Sequence, residues 1–342
     1  ATVITSLEAG RREAGFHDWP PGFPDKPSRN HTRPSAFRAR VYLAPEVGET
    51  FRVAGRTAPS LERATGFMWR NARLLERALF ALLFERGPAQ AVVSALRAYR
   101  NPDGGFGHAL EPDVRAPDSM PVHTELALRA LNSASVLDPD IAFGACEFLA
   151  AVAEPDGRVP IVLPAVLEYP HASHWAEPIF TGDSINPTGA LVGLLHEQAV
   201  QHPWLEKATE CCWRRVEQPI ADAHDIVSAL TFLEYAPDRG RAEKTAERIV
   251  GAAGGASFYH AEPGATSYGL TPLHLCPMPD AIGRKALAEE LVEAHLDQLA
   301  AQQQDDGGWP ISFEPPSPAS AFEWRGRWTL DALSTLRAYD RI

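Results

Sequence analysis

Apolar and polar residues recur along most of this chain with the period of an α-helix. In the run from Phe67 to Phe84, FMWRNARLLERALFALLF, leucines form an apolar stripe opposite arginines, and Gly87-Pro88 ends the pattern. Similar runs predict helices at 89–100, 122–134, 139–152, 188–200, 203–217, 222–235, 239–252, 281–302 and 328–339. There is no convincing strand pattern after residue 61, so the sequence predicts an all-α protein.

The first sixty residues follow neither period. They are rich in proline and arginine, and only the stretches FRARVYLAP and ETFRVAG alternate well enough for one short hairpin. This segment holds nine basic and six acidic residues, whereas the remainder holds 23 and 38. We therefore expect an irregular N-terminal arm over 1–60, with disorder as the alternative, and one helical domain over 61–342.

Glycine-centred turns separate many of the predicted helices. Their glycines lie near positions 104, 157, 255 and 307, about 50 residues apart, and the position near 205 has none. A period of that size with two helices in each unit is typical of repeated helical hairpins. We expect the glycines to adopt positive φ angles and the aromatic residue that follows, such as Phe106 or Trp309, to pack between neighbouring helices.

These turns carry a family resemblance. QQQDDGGWP at 302–310 resembles the Q-x-x-D-G-x-W repeat of squalene-hopene cyclases, and RNPDGGFG at 100–107 is similar to the turn of prenyltransferase β-subunits. The resemblance covers residues 61–342 and is strongest to bacterial prenyltransferase-like proteins of unassigned activity. It implies an α/α toroid, a closed double ring of helical hairpins, and says less about the reaction.

Two departures separate the chain from the familiar activities of that superfamily. The D-x-D-D motif that protonates an alkene in the cyclases is absent, and so is the D-x-C zinc motif of the protein prenyltransferases. No D-D-x-x-D magnesium motif and no P-loop occurs either. We therefore expect no metal and no cofactor.

The nearest match to the cyclase motif is ADAHDIVSALTFL, which places Asp222, His224 and Asp225 in D-x-H-D order before a helix. By resemblance, His224 takes the position of the proton donor. An imidazolium is a much weaker acid than a clustered carboxyl, but it suits an epoxide or another polarised substrate. The alternative is that Asp222 caps the helix and Asp225 is an acid of its first turn.

A second candidate lies in HALEPDVRAPDSMP, which has no counterpart in the other repeats. Its carboxylates, Glu111, Asp113 and Asp118, precede His123 at the start of a helix. If inner helices begin at one rim, these groups converge there and could hold a shared proton, a metal or a cationic substrate. The alternative assigns Asp118 to a turn or cap and pairs Arg115 with Glu111 or Asp113.

Aromatic and polar residues in further loops complete the candidate site. We expect substrate contacts from residues that lie in or beside loops: Arg115, Trp175, Phe180, Asn186, Tyr259 and Trp324. Aromatic faces in a ring stabilise carbocations or stack on sugars. His171 and His174 have an H-x-x-H spacing, but flanking prolines place them in a loop, so we predict no zinc site.

Charge and hydropathy narrow the partners. The net charge of -12 disfavours nucleic acid, and no apolar run reaches the length of a membrane span. Peripheral contact with a membrane is left open. Four cysteines without C-x-x-C spacing and an N-terminus without a secretory apolar region indicate a cytoplasmic protein with free thiols.

Together these features favour a terpenoid cyclase-like enzyme that cyclises or isomerises an apolar isoprenoid by metal-independent acid catalysis. The first alternative is a carbohydrate-active toroid that uses paired carboxylates. The second is a toroid without catalysis that binds a lipid or a partner. A cavity that is shared by Glu111, Asp113 and the 222–225 motif would favour catalysis.

Overall fold

In the computed structural model, residues 59–176 and 184–342 can be described, and all of them belong to one compact unit. Within this part the protein is all-α, as the sequence predicts, and its extended pairings are isolated bridges. The hairpin expected in the arm lies outside the described residues. The helices are α1 (Leu61–Asn71), α2 (Leu74–Phe84), α3 (Ala89–Leu96), α4 (Pro121–Ser133), α5 (Pro139–Val152), α6 (Thr188–Glu197), α7 (Pro203–Val216), α8 (Ala223–Tyr235), α9 (Arg239–Ala252), α10 (Pro272–Leu275), α11 (Glu289–Ala301) and α12 (Pro318–Ala338).

Short-range sequence signals place most helix starts. Ser60, Asp138, Asp222, Asp238 and Ser317 are N-cap residues whose side chains accept main-chain N–H groups of the first turn. Proline opens α4, α5, α7, α10 and α12, where its missing N–H is not needed. These caps satisfy donors that a helix leaves without internal partners.

Three predicted boundaries are wrong. The run 67–84 divides at Ala72, whose backbone is extended, and Arg73 uses its guanidinium to bind Glu76 and the carbonyls of Ala109 and Leu110. The helix expected from 281 begins at 289, because Gly283 is left-handed at φ 83°. The last helix begins at Pro318 rather than 328.

Helices alternate between more and less buried positions. Helix α6 is buried from Thr188 to Leu195 and packs against α4, α7 and α8. Helix α12 packs against α1, α2 and α11, so the two ends of the helical region meet. The amide of Gln303 joins them, since its side chain bonds both the N–H and the carbonyl of Ser60.

The repeat turns position each hairpin against the next one. Gly104, Gly157 and Gly307 have φ of 88°, 95° and 95°, as expected. A Cβ at Gly307 would lie 2.1 Å from the Arg63 carbonyl oxygen, so the turn rests directly on the backbone of α1. Trp309 is buried beside it and donates from Nε1 to the Leu299 carbonyl at 2.7 Å.

The turn near 255 differs from this prediction. Ala253–Gly255 form one turn of 3₁₀-helix, and neither glycine has a positive φ. A Cβ on either would meet no atom within 4 Å. Phe258, which follows the turn, is 54% exposed and does not pack between helices. The expected repeat is therefore structural at three of its four turns.

Candidate functional site

The loops that precede the more buried helices meet at one end of the molecule, here termed the entry-loop face. Val114 bridges to His171, which joins the loops before α4 and α6. Arg115 pairs with Glu323 of α12, and Asp222 bridges to Ser257 in the loop after α9. Residues far apart in sequence are thus brought together at the starts of these helices.

A hydrogen-bonded chain occupies the α8 side of this face. Asp222 Oδ1 lies 2.8 Å from His224 Nδ1, and His224 Nε2 lies 2.8 Å from the Tyr268 hydroxyl. Burial alone would raise the pKa of Asp222, but hydrogen bonds from His224 and Ser257 lower it to about 2. The ionised Asp222 therefore fixes the proton on Nδ1 and leaves Nε2 to face Tyr268. Asp222 is also the N-cap of α8, so the capping alternative and this contact hold together.

Tyr268 begins a cluster of aromatic rings that crosses the face. Its ring lies 5.6 Å from that of Phe313, which lies 5.5 Å from Trp324 and 5.9 Å from Trp328. Trp324 and Trp328 are 5.6 Å apart. Most of these contacts are edge-to-face, a geometry that leaves ring faces directed elsewhere. We call Tyr268, Phe313, Trp324 and Trp328 the aromatic cluster.

The second carboxylate group lies at the other end of this cluster. Glu111 is 4% exposed, and burial together with the nearby Asp113 raises its pKa to about 8. Burial also raises the pKa of Asp113, while the Trp324 indole opposes that rise. The Trp324 N–H lies near the Asp113 carboxylate without reaching hydrogen-bond geometry. Glu111 thus carries its proton at neutral pH.

Carboxylates from both candidate groups act electrostatically on Tyr268 of the aromatic cluster. Burial raises the pKa of Tyr268 to about 12, and the charges of Asp222, Asp113 and Glu111 contribute to that increase. One phenol therefore lies within electrostatic range of both candidate sets that the sequence identifies. The structure brings Glu111, Asp113, Asp222 and His224 around the same aromatic residues.

The remaining residues of the HALEPDVRAPDSMP loop have other positions. Arg115 does not pair with Glu111 or Asp113; it pairs with Glu323, which ties the loop to α12. His123 is fully buried, and burial lowers its pKa to about 3. Among the described residues, neither of its ring nitrogens finds a hydrogen-bond partner. Asp118 is exposed and lies in a groove with Asp103 and Glu147, apart from the aromatic cluster.

Asp225 and Asn186 hold the start of α6. Asp225 Oδ1 accepts from Ser184 Oγ at 2.6 Å and from the Asn186 N–H at 3.2 Å. Burial raises the pKa of Asp225, and these hydrogen bonds oppose the increase. The carboxylate therefore tethers residues 184–186 to α8 and does not join His224.

The aromatic residues predicted to contact substrate do not form one group. Trp324 belongs to the aromatic cluster. Trp175 packs on a small apolar group that includes Val114 and Val166, and Tyr259 packs against the main core. Phe180 lies outside the described residues.

A charged wall continues from the aromatic cluster along α12. Arg327 and Asp331 are one turn apart, with 3.6 Å between Nε and Oδ2, and Arg129 of α4 pairs with Glu125. The Asp331 side chain is 62% exposed, yet surrounding protein raises its pKa. This part of α12 is therefore charged, in contrast to its aromatic residues Trp324 and Trp328.

Tyr268, Phe313, Trp328 and the pair Arg327–Asp331 are absent from the sequence-based site. For α12 the sequence did carry a signal. In EWRGRWTLD, Trp324, Trp328 and Asp331 are spaced so that they lie on one face of a helix. Tyr268 and Phe313 lie in aperiodic loops, where spacing carries no such information.

Comparisons with known proteins add to the fold. A solved structure of a protein from Actinoplanes resembles this chain with a TM-score of 0.50 and 16% identity, covering 82% of this chain and 98% of the other. At that identity the likeness concerns the fold alone. Neither a scan against protein-family models nor a search of curated proteins finds a match. Within residues 59–176 and 184–342, no helix has the length and apolar character required to cross a bilayer.

Proposed function

We propose that the helices close into an α/α toroid with the entry-loop face as its mouth. Support comes from the order of packing: α4 contacts α6, α6 contacts α8, α8 contacts α10, and α12 contacts α2. Of the intervening helices, α5 contacts α4 and α7, α7 contacts α6 and α8, and α1 contacts α12. The glycine turns at Gly104, Gly157 and Gly307, each set on the following hairpin, fit the same arrangement.

We infer that the mouth is an acid–base active site for an uncharged, oxygen-bearing isoprenoid. One observation carries the proposal: the Asp222–His224–Tyr268 chain and the Glu111–Asp113 pair meet at one aromatic cluster. Paired proton-transfer groups with separated pKa values are the usual basis of acid–base assignments. Aromatic faces stabilise positive charge that develops between them.

The pKa of Glu111 restricts the chemistry. A carboxyl with a pKa of about 8 is protonated at neutral pH but is too weak an acid to protonate an isolated alkene. It suits an oxygen that becomes basic as its bond to carbon breaks, as in an epoxide. The alkene-protonating reaction of the cyclases is therefore a poorer fit than opening of an epoxide.

The proposed sequence keeps atoms and charges in balance. Glu111 gives its proton to the epoxide oxygen as the C–O bond breaks, which leaves a hydroxyl and a carbocation beside the aromatic cluster. Tyr268 oxygen then takes a proton from the adjacent carbon while its own proton passes to His224 Nε2, and an alkene forms. Asp222 stabilises the imidazolium, and proton exchange with solvent restores Glu111 and His224. The net reaction is isomerisation of an epoxide to an allylic alcohol.

Carbohydrate chemistry is the second candidate, and the charged wall favours it. Arg327, Asp331, Arg129 and Glu125 offer hydrogen bonds to sugar hydroxyls, and Glu111 with Asp113 resembles a carboxylate pair. An oxocarbenium ion would draw on the same aromatic faces. This candidate differs from the first in its leaving group, a sugar alkoxide rather than an epoxide oxygen.

The test compares 10,11-epoxyfarnesol with 4-nitrophenyl glycosides, using wild type, Glu111→Gln, Tyr268→Phe and the exposed control Glu262→Gln. We expect turnover of the epoxide, with each site variant slower by roughly 10²- to 10⁴-fold and the control unchanged. Release of nitrophenol that depends on Glu111 would favour the second candidate. Turnover of either substrate that is indifferent to both site variants would remove these residues from the reaction.

A further inference from the structure

His274 lies on the one-turn helix α10, and no sequence pattern assigns it a role. Its side chain is exposed, and its ring centroid lies 6.4 Å from that of Trp328 in the aromatic cluster. The charges of His224 and His295 act on it. His274 therefore lies beside the aromatic cluster at which the proposed acid–base groups meet.

The main chain fixes which ring nitrogen of His274 carries the proton. The Thr271 N–H lies 3.0 Å from His274 Nδ1, and the Thr271 hydroxyl lies 2.9 Å from the same atom. A main-chain N–H can only donate, so Nδ1 must be the acceptor and the proton of the neutral ring is on Nε2. In the described part of the chain, no hydrogen bond to Nε2 is formed. The capping contact thus leaves the Nε2–H of the exposed ring available as a donor.

The imidazole also stays neutral. Burial lowers the pKa of His274 to about 4, with the charges of His224 and His295 contributing, although the side chain is exposed. A neutral N–H donor suits an uncharged oxygen acceptor. Its hydrogen bond becomes stronger as negative charge develops on that oxygen.

We propose that His274 Nε2–H donates a hydrogen bond to a neutral hydroxyl, ether or epoxide oxygen of the substrate, an inference that rests on the proposed function of the entry-loop face. His274 is then a substrate-binding residue that orients the oxygenated end. It does not supply the proton, because its ring carries one proton and keeps it. The aromatic cluster binds the hydrocarbon portion beside it.

The capping geometry provides a matched pair of variants. In His274→Gln the side-chain oxygen can accept from Thr271 as in an ordinary capping box, and the amide still offers an N–H donor. In His274→Glu the carboxylate accepts in the same way but has no donor. Thermal unfolding of both variants checks that the cap and the fold are retained.

Binding of three small probes to the full chain, followed by tryptophan fluorescence, tests the inference. Geraniol and geranyl methyl ether carry an oxygen acceptor, and β-myrcene carries none. We expect wild type and His274→Gln to bind the two oxygenated probes within about threefold of each other. His274→Glu should weaken both by roughly tenfold and leave β-myrcene unchanged.

The outcomes separate this inference from the proposed function. If wild type binds all three probes alike, or if His274→Glu weakens β-myrcene as much as geraniol, the inference is wrong and the acid–base proposal is unaffected. If binding depends on oxygen and on His274 but turnover is the same in the Glu111 and Tyr268 variants, the acid–base proposal is wrong and the inference about His274 stands. If wild type binds none of the probes, both are overturned for isoprenoids.

Discussion

The buried carboxyl of Glu111 gives the most direct prediction, because its ionisation is coupled to folding. A rise in pKa from 4.5 to about 8 corresponds to roughly 5 kcal/mol at 1.36 kcal/mol per unit, as an upper limit. The first cause is burial, since the side chain is 4% exposed, and the second is Asp113. Hydrogen bonds from the main-chain N–H groups of Asp113 and Val114, and the charge of Arg327, oppose the shift.

The direction in which stability changes with pH depends on whether the folded or the unfolded chain holds the Glu111 proton. Below the pKa of an unfolded glutamate, Glu111 is protonated in both states and does not reduce stability. As the pH rises toward about 8, the unfolded chain has already released its proton while the folded chain retains it. Stability therefore falls with rising pH across this window, and the loss is complete above the folded pKa.

Glu111→Gln removes this titration and keeps the shape of the protonated acid. The amide oxygen can still accept from the Asp113 N–H, which lies 2.7 Å from Glu111 Oε2. We expect the variant and wild type to be equally stable near pH 4.5. Near pH 9 the variant should be more stable by about 3 kcal/mol, below the upper limit because local structure relaxes.

The assay is urea unfolding of wild type, Glu111→Gln and the exposed control Glu262→Gln at pH 4.5, 7 and 9. Titrating groups distant from Glu111 contribute equally to wild type and variant, so the difference between them isolates Glu111 together with its coupling to Asp113. The control should follow wild type at every pH. A Glu111→Gln difference that stays constant from pH 4.5 to 9 would refute the claim that this carboxyl is protonated at neutral pH.

Three further predictions concern the scaffold. Gly307→Ala should destabilise the fold by about 2–4 kcal/mol in urea unfolding, since φ is 95° and a Cβ meets backbone at 2.1 Å, whereas Gly254→Ala should lie within about 0.5 kcal/mol of wild type. An equal cost at both glycines would contradict the distinction between these turns. Trp309→Phe should cost about 1–3 kcal/mol in the same assay through the lost 2.7 Å hydrogen bond, and a neutral effect would show that this bond is dispensable. Asp225→Asn should cost about 1–2 kcal/mol and increase proteolysis near Ser184; unchanged proteolysis would count against the tether.

The site combines an ionised relay with a protonated carboxyl on opposite sides of an aromatic cluster. Asp222 has its pKa lowered to about 2 by donors that outweigh its burial, whereas Glu111 has its pKa raised to about 8 by burial and Asp113. Environment alone separates two carboxyls of similar intrinsic acidity. This separation allows one end of the site to donate a proton while the other receives one.

Local sequence was sufficient for most of the helices and for three of the repeat turns. Apolar period, N-caps and glycines that require positive φ act within a few residues, so each can be read without knowledge of the fold. Gly254 and Gly255 imitate the pattern but lack the close neighbour that makes glycine necessary. Such a neighbour belongs to another hairpin and leaves no mark in the adjacent sequence.

Identification of the candidate site required both the local sequence and the tertiary structure. The residue types and the odd composition of HALEPDVRAPDSMP and ADAHDIVSALTFL marked Glu111, Asp113, Asp222 and His224 from sequence alone. Their partners were decided by the tertiary structure: Arg115 meets Glu323 across 208 positions, and His224 meets Tyr268 across 44. Burial, which determines the proton on Glu111 and the neutrality of His274, arises only when distant helices exclude water. Local sequence thus specifies most of the helices, three of the four repeat turns and the types of reactive groups, whereas the packing of distant helices establishes which groups meet and which protons they hold.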